Sequence, residues 1–219
     1  MEGEGEIVCS VEKWCSLVDR LTPDQRDALR HTGIYCMLQI PSIIMRKNLI
    51  SYMVEIFEPK TNKFVLKENI GEFTATKIDV ECIYGLKNSG LCVADLLEEE
   101  GGFASHHIPA KFLNKKTNQM VINDLITNIV KSGSTDDDFV RMTGLVLLGT
   151  VLAPHSLNVV PKMYYILVGD VNRFKELNLN EFTLARLFQC LNHVKSGGAT
   201  VKWPRGNLSL LQVHIINSQ

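Results

Sequence analysis

Apolar side chains in the first sixty residues recur at helical spacing. Between Val11 and Leu21, the residues Trp14, Leu17, Val18 and Leu21 fall on one side of a helix. The next four residues, Thr22-Pro23-Asp24-Gln25, form a helix start: Thr22 caps, Pro23 suits the first position and Gln25 completes a capping box. This second helix is expected to run through Arg30 and stop near Gly33. After Pro41, the residues Ile43, Ile44, Leu49, Ile50, Met53, Val54 and Phe57 gather largely on one side, which predicts a long helix over 42–57, broken by Pro59.

The pattern then changes period. Phe64, Val65 and Leu66, followed by Phe73, are strand-like, with a turn expected over 69–71, so one β-hairpin is predicted. Thr76 caps a short helix with Asp79 at its third position, and Gly85 supplies a left-handed stop with Leu86 packing back. Helical patterns follow over 91–102, 109–116 and 120–131. Thr135 is expected to cap the next helix, with Asp136, Asp137 and Asp138 in its first turn, where acidic charge suits the helix dipole. That helix carries the most apolar run, Met142 to Ala153, and ends at Pro154. Residues 162–168 fit helix or strand. Asn178 and Glu181 open an amphipathic helix with Leu184, Leu187, Phe188, Leu191 and Val194 on one face, and an apolar segment over 207–216 comes last.

The fold class that follows is mainly α, an α+β chain with a small β-hairpin. It forms a compact helical domain, as one unit or two packed subdomains. Residues 1–33 read as an acidic N-terminal segment with helices, and 34–219 as the main helical domain. With 219 residues, 45% of them hydrophobic and 21% charged, the chain has enough apolar matter for a sizeable core. Its formal net charge of −1 gives no general attraction to nucleic acid or anionic membrane. The apolar run at 142–153 is shorter than the roughly 20 residues that span a bilayer, so no membrane insertion is expected. The start, MEGEGEIVCS, has neither the basic and apolar regions of a secretory signal nor the arginines of a mitochondrial presequence. An intracellular protein of the nucleus or cytoplasm is expected.

Candidate chemistry is sparse. The six cysteines, Cys9, Cys15, Cys36, Cys82, Cys92 and Cys190, include no CxxC pair and read as buried or free thiols in a reducing compartment. His106 and His107 point to different sides of any helix and read as a loop or surface pair rather than a metal site. Helix capping accounts for Asp136 to Asp138, and magnesium binding there would need a further carboxylate such as Asp170. Cys190 and His193 lie one turn apart, with Cys190 beside the apolar stripe, so a core cysteine is expected there. Lys111, Lys115 and Lys116 line one side of the helix expected at 109–116, but they lack interleaved aromatics, which makes nucleic-acid binding only weakly supported. No phosphate-loop, dinucleotide, nucleophile-elbow or HExxH motif occurs, and no catalytic residue, cofactor or metal site is assigned. Phe103, after Gly101-Gly102, and Trp203, beside Pro204, are the interaction candidates, because aromatic residues in loops serve as binding anchors.

The segment MVEIFEPKTNKFVLKENIGEFTATKIDVECIYGLKNSG resembles the plant mobile domain family, also called aminotransferase-like. The residues that carry the likeness are Pro59, Thr61, Phe64, Gly71, Glu72, Thr74, Thr76, Asp79, Val80, Gly85 and Leu86. LVLLGTVLAP, VGDVNRFKELNLNEFTLARLFQCL and GNLSLLQVHI resemble later segments of the same family in the same order, so the likeness covers about 34–216. Departures occur at Gly206-Asn207, where Gly-Cys is usual, at Lys87, where proline is frequent, and near Asn180, where a tryptophan is missing.

The resemblance implies a plant protein derived from a transposable element. It is expected to be non-enzymatic and to act as a protein–protein interaction module on a host partner in transposon silencing, genome stability or development. The aminotransferase name is not carried over, because no lysine stands in a pyridoxal-phosphate context. The alternative is a selfish, toxic element that harms cells or pollen by binding an essential host protein, is countered by an antidote, and thereby contributes to reproductive isolation.

Overall fold

The helix carrying MTGLVLLGTVLA is buried on every side from Phe139 to Ala153 except for Arg141, and the rest of the molecule is packed around it. The computed structural model describes residues 7–67, 71–99, 108–197 and 204–217. In chain order the helices are α1 (Val11–Val18), α2 (Pro23–Ala28), α3 (Lys47–Ile56), α4 (Lys77–Tyr84), α5 (Val93–Glu99), α6 (Ile122–Ser132), α7 (Asp137–Leu147), α8 (Tyr164–Gly169), α9 (Val171–Phe174), α10 (Leu179–Lys195) and α11 (Leu208–Asn217). The strands are β1 (Phe57–Glu58), β2 (Lys63–Val65), β3 (Glu72–Phe73), β4 (Met120–Val121) and β5 (Val159–Val160). The chain is therefore mainly helical with small antiparallel sheets, as its pattern predicts.

A helix apolar all round has no solvent face and must be central. Around α7 that requirement is met at close quarters, because two glycines let neighbours approach. A Cβ at Gly144 would lie 3.0 Å from both Phe174 and Val168, and one at Gly149 would lie 2.9 Å from Val160. α7 continues as a π-helical turn over Leu148–Leu152, closed by the Ala153 N–H donating to Leu148 O at 3.0 Å. The Thr150 hydroxyl bonds back to Val146 O, while Thr150 O accepts from Ser10 N at 2.9 Å, which ties the N-terminal segment to this turn. Buried side chains on both sides of residue 33 belong to one core.

Several local expectations hold to the residue. Thr22 and Gln25 form a capping box at α2, Thr76 and Asp79 another at α4, and Gly85 ends α4 at φ 70°. Asn178 caps α10. Other expectations need correction. The helix expected over 42–57 begins only at Lys47, because buried Gln212 of α11 holds the preceding segment extended, accepting from Arg46 N at 2.7 Å and donating to Ile44 O at 2.8 Å. Asp136, not Thr135, caps α7, accepting from Phe139 N at 3.0 Å.

The helix expected at 109–116 is a single 3₁₀ turn over Ala110–Phe112. The Asn114 side chain captures Lys116 N and Thr117 N, competing with helical bonding. Residues 120–121 pair with 159–160 as β4 and β5 before α6 begins, and the segment expected at 162–168 as helix or strand forms a helix, α8, from Tyr164 to Gly169.

The expected hairpin is a three-stranded sheet. β1 joins β2 because Phe57, Phe64 and Phe73 stand in register, with ring centroids 5.2 Å apart at each step, and Phe188 of α10 covers the stack. The turn expected over 69–71 lies largely outside the described residues.

Candidate functional site

Three connecting segments meet on one side of the α4–α10 pair and enclose a cleft of about 740 Å³. The first follows α2, where successive tight turns over 27–37 bring Arg30, His31 and Tyr35 to the surface. The second is the exit of α4, residues 85–91, and the third joins α9 to α10 over 175–179.

Backbone approaches that only glycine tolerates hold these segments together. A Cβ on Gly85 would meet Cys36 Cβ at 2.9 Å, and one on Gly90, at φ 118°, would meet Glu176 O at 2.2 Å. Leu91 N donates to Glu176 O at 2.7 Å and Asn178 N donates to Leu91 O at 2.8 Å, a short parallel bridge that forms one wall. Buried Asn180 of α10 anchors α4 and its exit, donating to Lys77 O at 2.9 Å and Leu86 O at 2.8 Å.

Cationic groups dominate the lining. Arg30, Lys87 and Lys175, with the His31 ring, share the cleft with a single carboxylate, Glu176. Arg30 bonds Asp27 at 2.7 Å and sits 5.3 Å over the Tyr35 ring, so its guanidinium is held in place. Lys175 bonds only weakly to Asn172, at 3.4 Å. Leu91 is 45% exposed and gives the cationic lining an apolar spot. Cys36 also lines the cleft, but burial pushes its thiol pKa up, which keeps it protonated and a poor nucleophile. The cleft thus combines a mainly cationic lining with one apolar spot.

The residues singled out in the sequence lie elsewhere. Phe103, Trp203, His106 and His107 fall outside the described residues. Asp136, Asp137 and Asp138 are engaged locally: Asp136 caps α7, Asp137 approaches Arg141 at 3.5 Å, and Asp138 pairs with Arg141 at 2.9 Å and with Lys111. Asp170 caps α9 through Asn172 N and Arg173 N. Among the described residues no three His, Cys, Asp or Glu side chains group as metal ligands.

Lys111, Lys115 and Lys116 do not share a helix face, since their segment is a 3₁₀ turn followed by a loop; they line a separate groove of about 410 Å³ together with Asp124. Cys190 is half-buried rather than part of the core, and no hydrogen bond joins it to His193. Among the described residues no helix is long and apolar enough to cross a membrane. The sequence marks Gly33 and Gly85 as helix stops, but nothing in it shows that those stops meet Gly90 and Glu176 at one place.

A family model described as a domain of unknown function (DUF8566) matches residues 7–212, a span that contains the whole buried core from Val8 to Leu211. No curated protein and no solved structure matches the chain.

Proposed function

The chain belongs to the DUF8566 family of domains of unknown function, and we propose that it is a non-enzymatic protein-interaction module whose cleft takes an acidic, extended segment of a host protein. The observation that carries this reading is the cationic lining of Arg30, Lys87 and Lys175 around the exposed Leu91, on walls stiffened by the Leu91–Leu177 bridge. Such a lining steers an acidic chain by long-range attraction, and a preorganised wall lowers the ordering cost of holding it. Leu91 supplies the spot against which one apolar side chain of the partner packs.

The resemblance to the plant mobile domain supports placing this module in a plant protein of transposon descent, acting in the nucleus or cytoplasm on transposon silencing, genome stability or development. The test is affinity purification of the tagged protein from plant cells beside a Lys87→Glu/Lys175→Glu variant of equal thermal stability. A stoichiometric partner retained by the parent and lost by the variant is expected. A partner held equally by both would remove the cleft from the reading, and the absence of any partner would end it.

A further inference from the structure

Pro204, Arg205 and Gly206 run between the Pro154–His155 turn and the middle of α10. Gly206 takes φ 91°, its N–H donates to Pro154 O at 3.0 Å, and a Cβ there would lie 3.2 Å from Leu187 Cα and 3.4 Å from Arg186 O. This close passage sets Arg205 beside His155, with its Nη1 at 3.0 and 3.2 Å from the two ring nitrogens. Arg186 comes from the adjacent turn of α10, with its Nη1 on Gln189 Oε1.

Both guanidiniums act on the His155 ring and on the Cys190 thiol one turn along. Burial, then Arg205, then Arg186, push the His155 pKa down, so the ring is held neutral against two cations. Among the described residues neither arginine forms an ion pair with a carboxylate, and both are half-buried. Elsewhere Lys111 and Arg141 share Asp138, Lys63 pairs with Glu72, and Lys77 pairs with Glu181.

We propose that Arg186, Arg205 and His155 form a binding site for a phosphate oxyanion. Two planar guanidinium forks present paired N–H donors that match tetrahedral phosphate, and a dianion balances both charges at once. The imidazole adds a third contact, as a donor once the anion is in place. The shared chemistry is a tetrahedral phosphate dianion, supplied either as free phosphate or on a phosphorylated side chain.

The experiment titrates the full chain at neutral pH with sodium phosphate, with sodium chloride at matched ionic strength, and with a short phosphoserine peptide, following calorimetry and the His155 ring resonances. Saturable binding of phosphate over chloride is expected, with movement of the His155 signals and an affinity weakened at least about tenfold in Arg205→Gln, which removes one charged fork. Arg205→Gln is the primary variant because, among the described residues, its side-chain hydrogen bonds are to the exposed His155 ring, whereas Arg186 also approaches the buried Tyr164 hydroxyl. Tighter binding of the phosphopeptide assigns the site to a modified side chain, and equal or weaker peptide binding assigns it to free phosphate. Binding undiminished in Arg205→Gln, an effect matched by chloride, or no binding of either phosphate form overturns the proposal.

Discussion

Replacing Gly90 by alanine should damage both the cleft and the fold, by an amount the geometry lets one bound. The new Cβ would stand 2.2 Å from Glu176 O, a backbone atom that cannot rotate away. Relief requires the two strands of the bridge to part, which breaks Leu91 N to Glu176 O and Asn178 N to Leu91 O. Two hydrogen bonds at about 1 kcal/mol each, together with about 1–3 kcal/mol for a side chain at positive φ, give a loss of about 3–5 kcal/mol. That is a large share of the roughly 5–15 kcal/mol that holds a domain folded. With a urea slope of about 2–3 kcal/mol per M, the unfolding midpoint falls by about 1–2.5 M.

Gly133→Ala is the control. Gly133 also has positive φ, at 60°, but its Cβ would meet nothing within 4 Å. It should lose only the conformational term, about 1–2 kcal/mol. Urea unfolding of both variants separates clash from strain. Equal losses in the two would show that the 85–91 and 175–179 segments do not hold each other, and the account of the cleft walls would fall with that result.

Asn180→Ala should lower stability by about 2–4 kcal/mol, because it removes one buried and one part-buried hydrogen bond and leaves the Leu86 carbonyl short of a donor; a urea midpoint close to the parent's would show that this anchor is dispensable. Asp136 bears on acid stability. The Phe139 backbone N–H, more than any other group, holds its carboxyl below the usual carboxylate range. A depressed folded pKa gives stability that is present above the unfolded pKa and is lost as pH falls through the folded one. Asp136→Ala should therefore cost about 1 kcal/mol at neutral pH, the usual worth of a cap, and nearly nothing once the carboxyl is protonated. Unfolding midpoints of parent and variant that stay equally far apart down to about pH 2 would contradict this.

Much of the secondary structure was legible because its causes are local. Thr22 with Gln25, Thr76 with Asp79, and Gly85 satisfy backbone groups within four residues of themselves, so the sequence alone determines those helix ends. The all-apolar run of α7 likewise announces a central helix, since no other placement hides every side. The misplaced elements are those governed by distant partners. Gln212 straightens residues 44–46 from the far end of the chain, and Val159–Val160 draw Met120–Val121 out of the α6 pattern into a strand.

Both candidate sites belong to that second kind. Gly90 reads as a loop residue until Glu176 is set against it, and Arg205 reads as a surface charge until Gly206 threads it past α10 to His155. A sequence specifies what each residue satisfies nearby. Which cations end up sharing one space depends on long-range packing, and only the tertiary structure decides it.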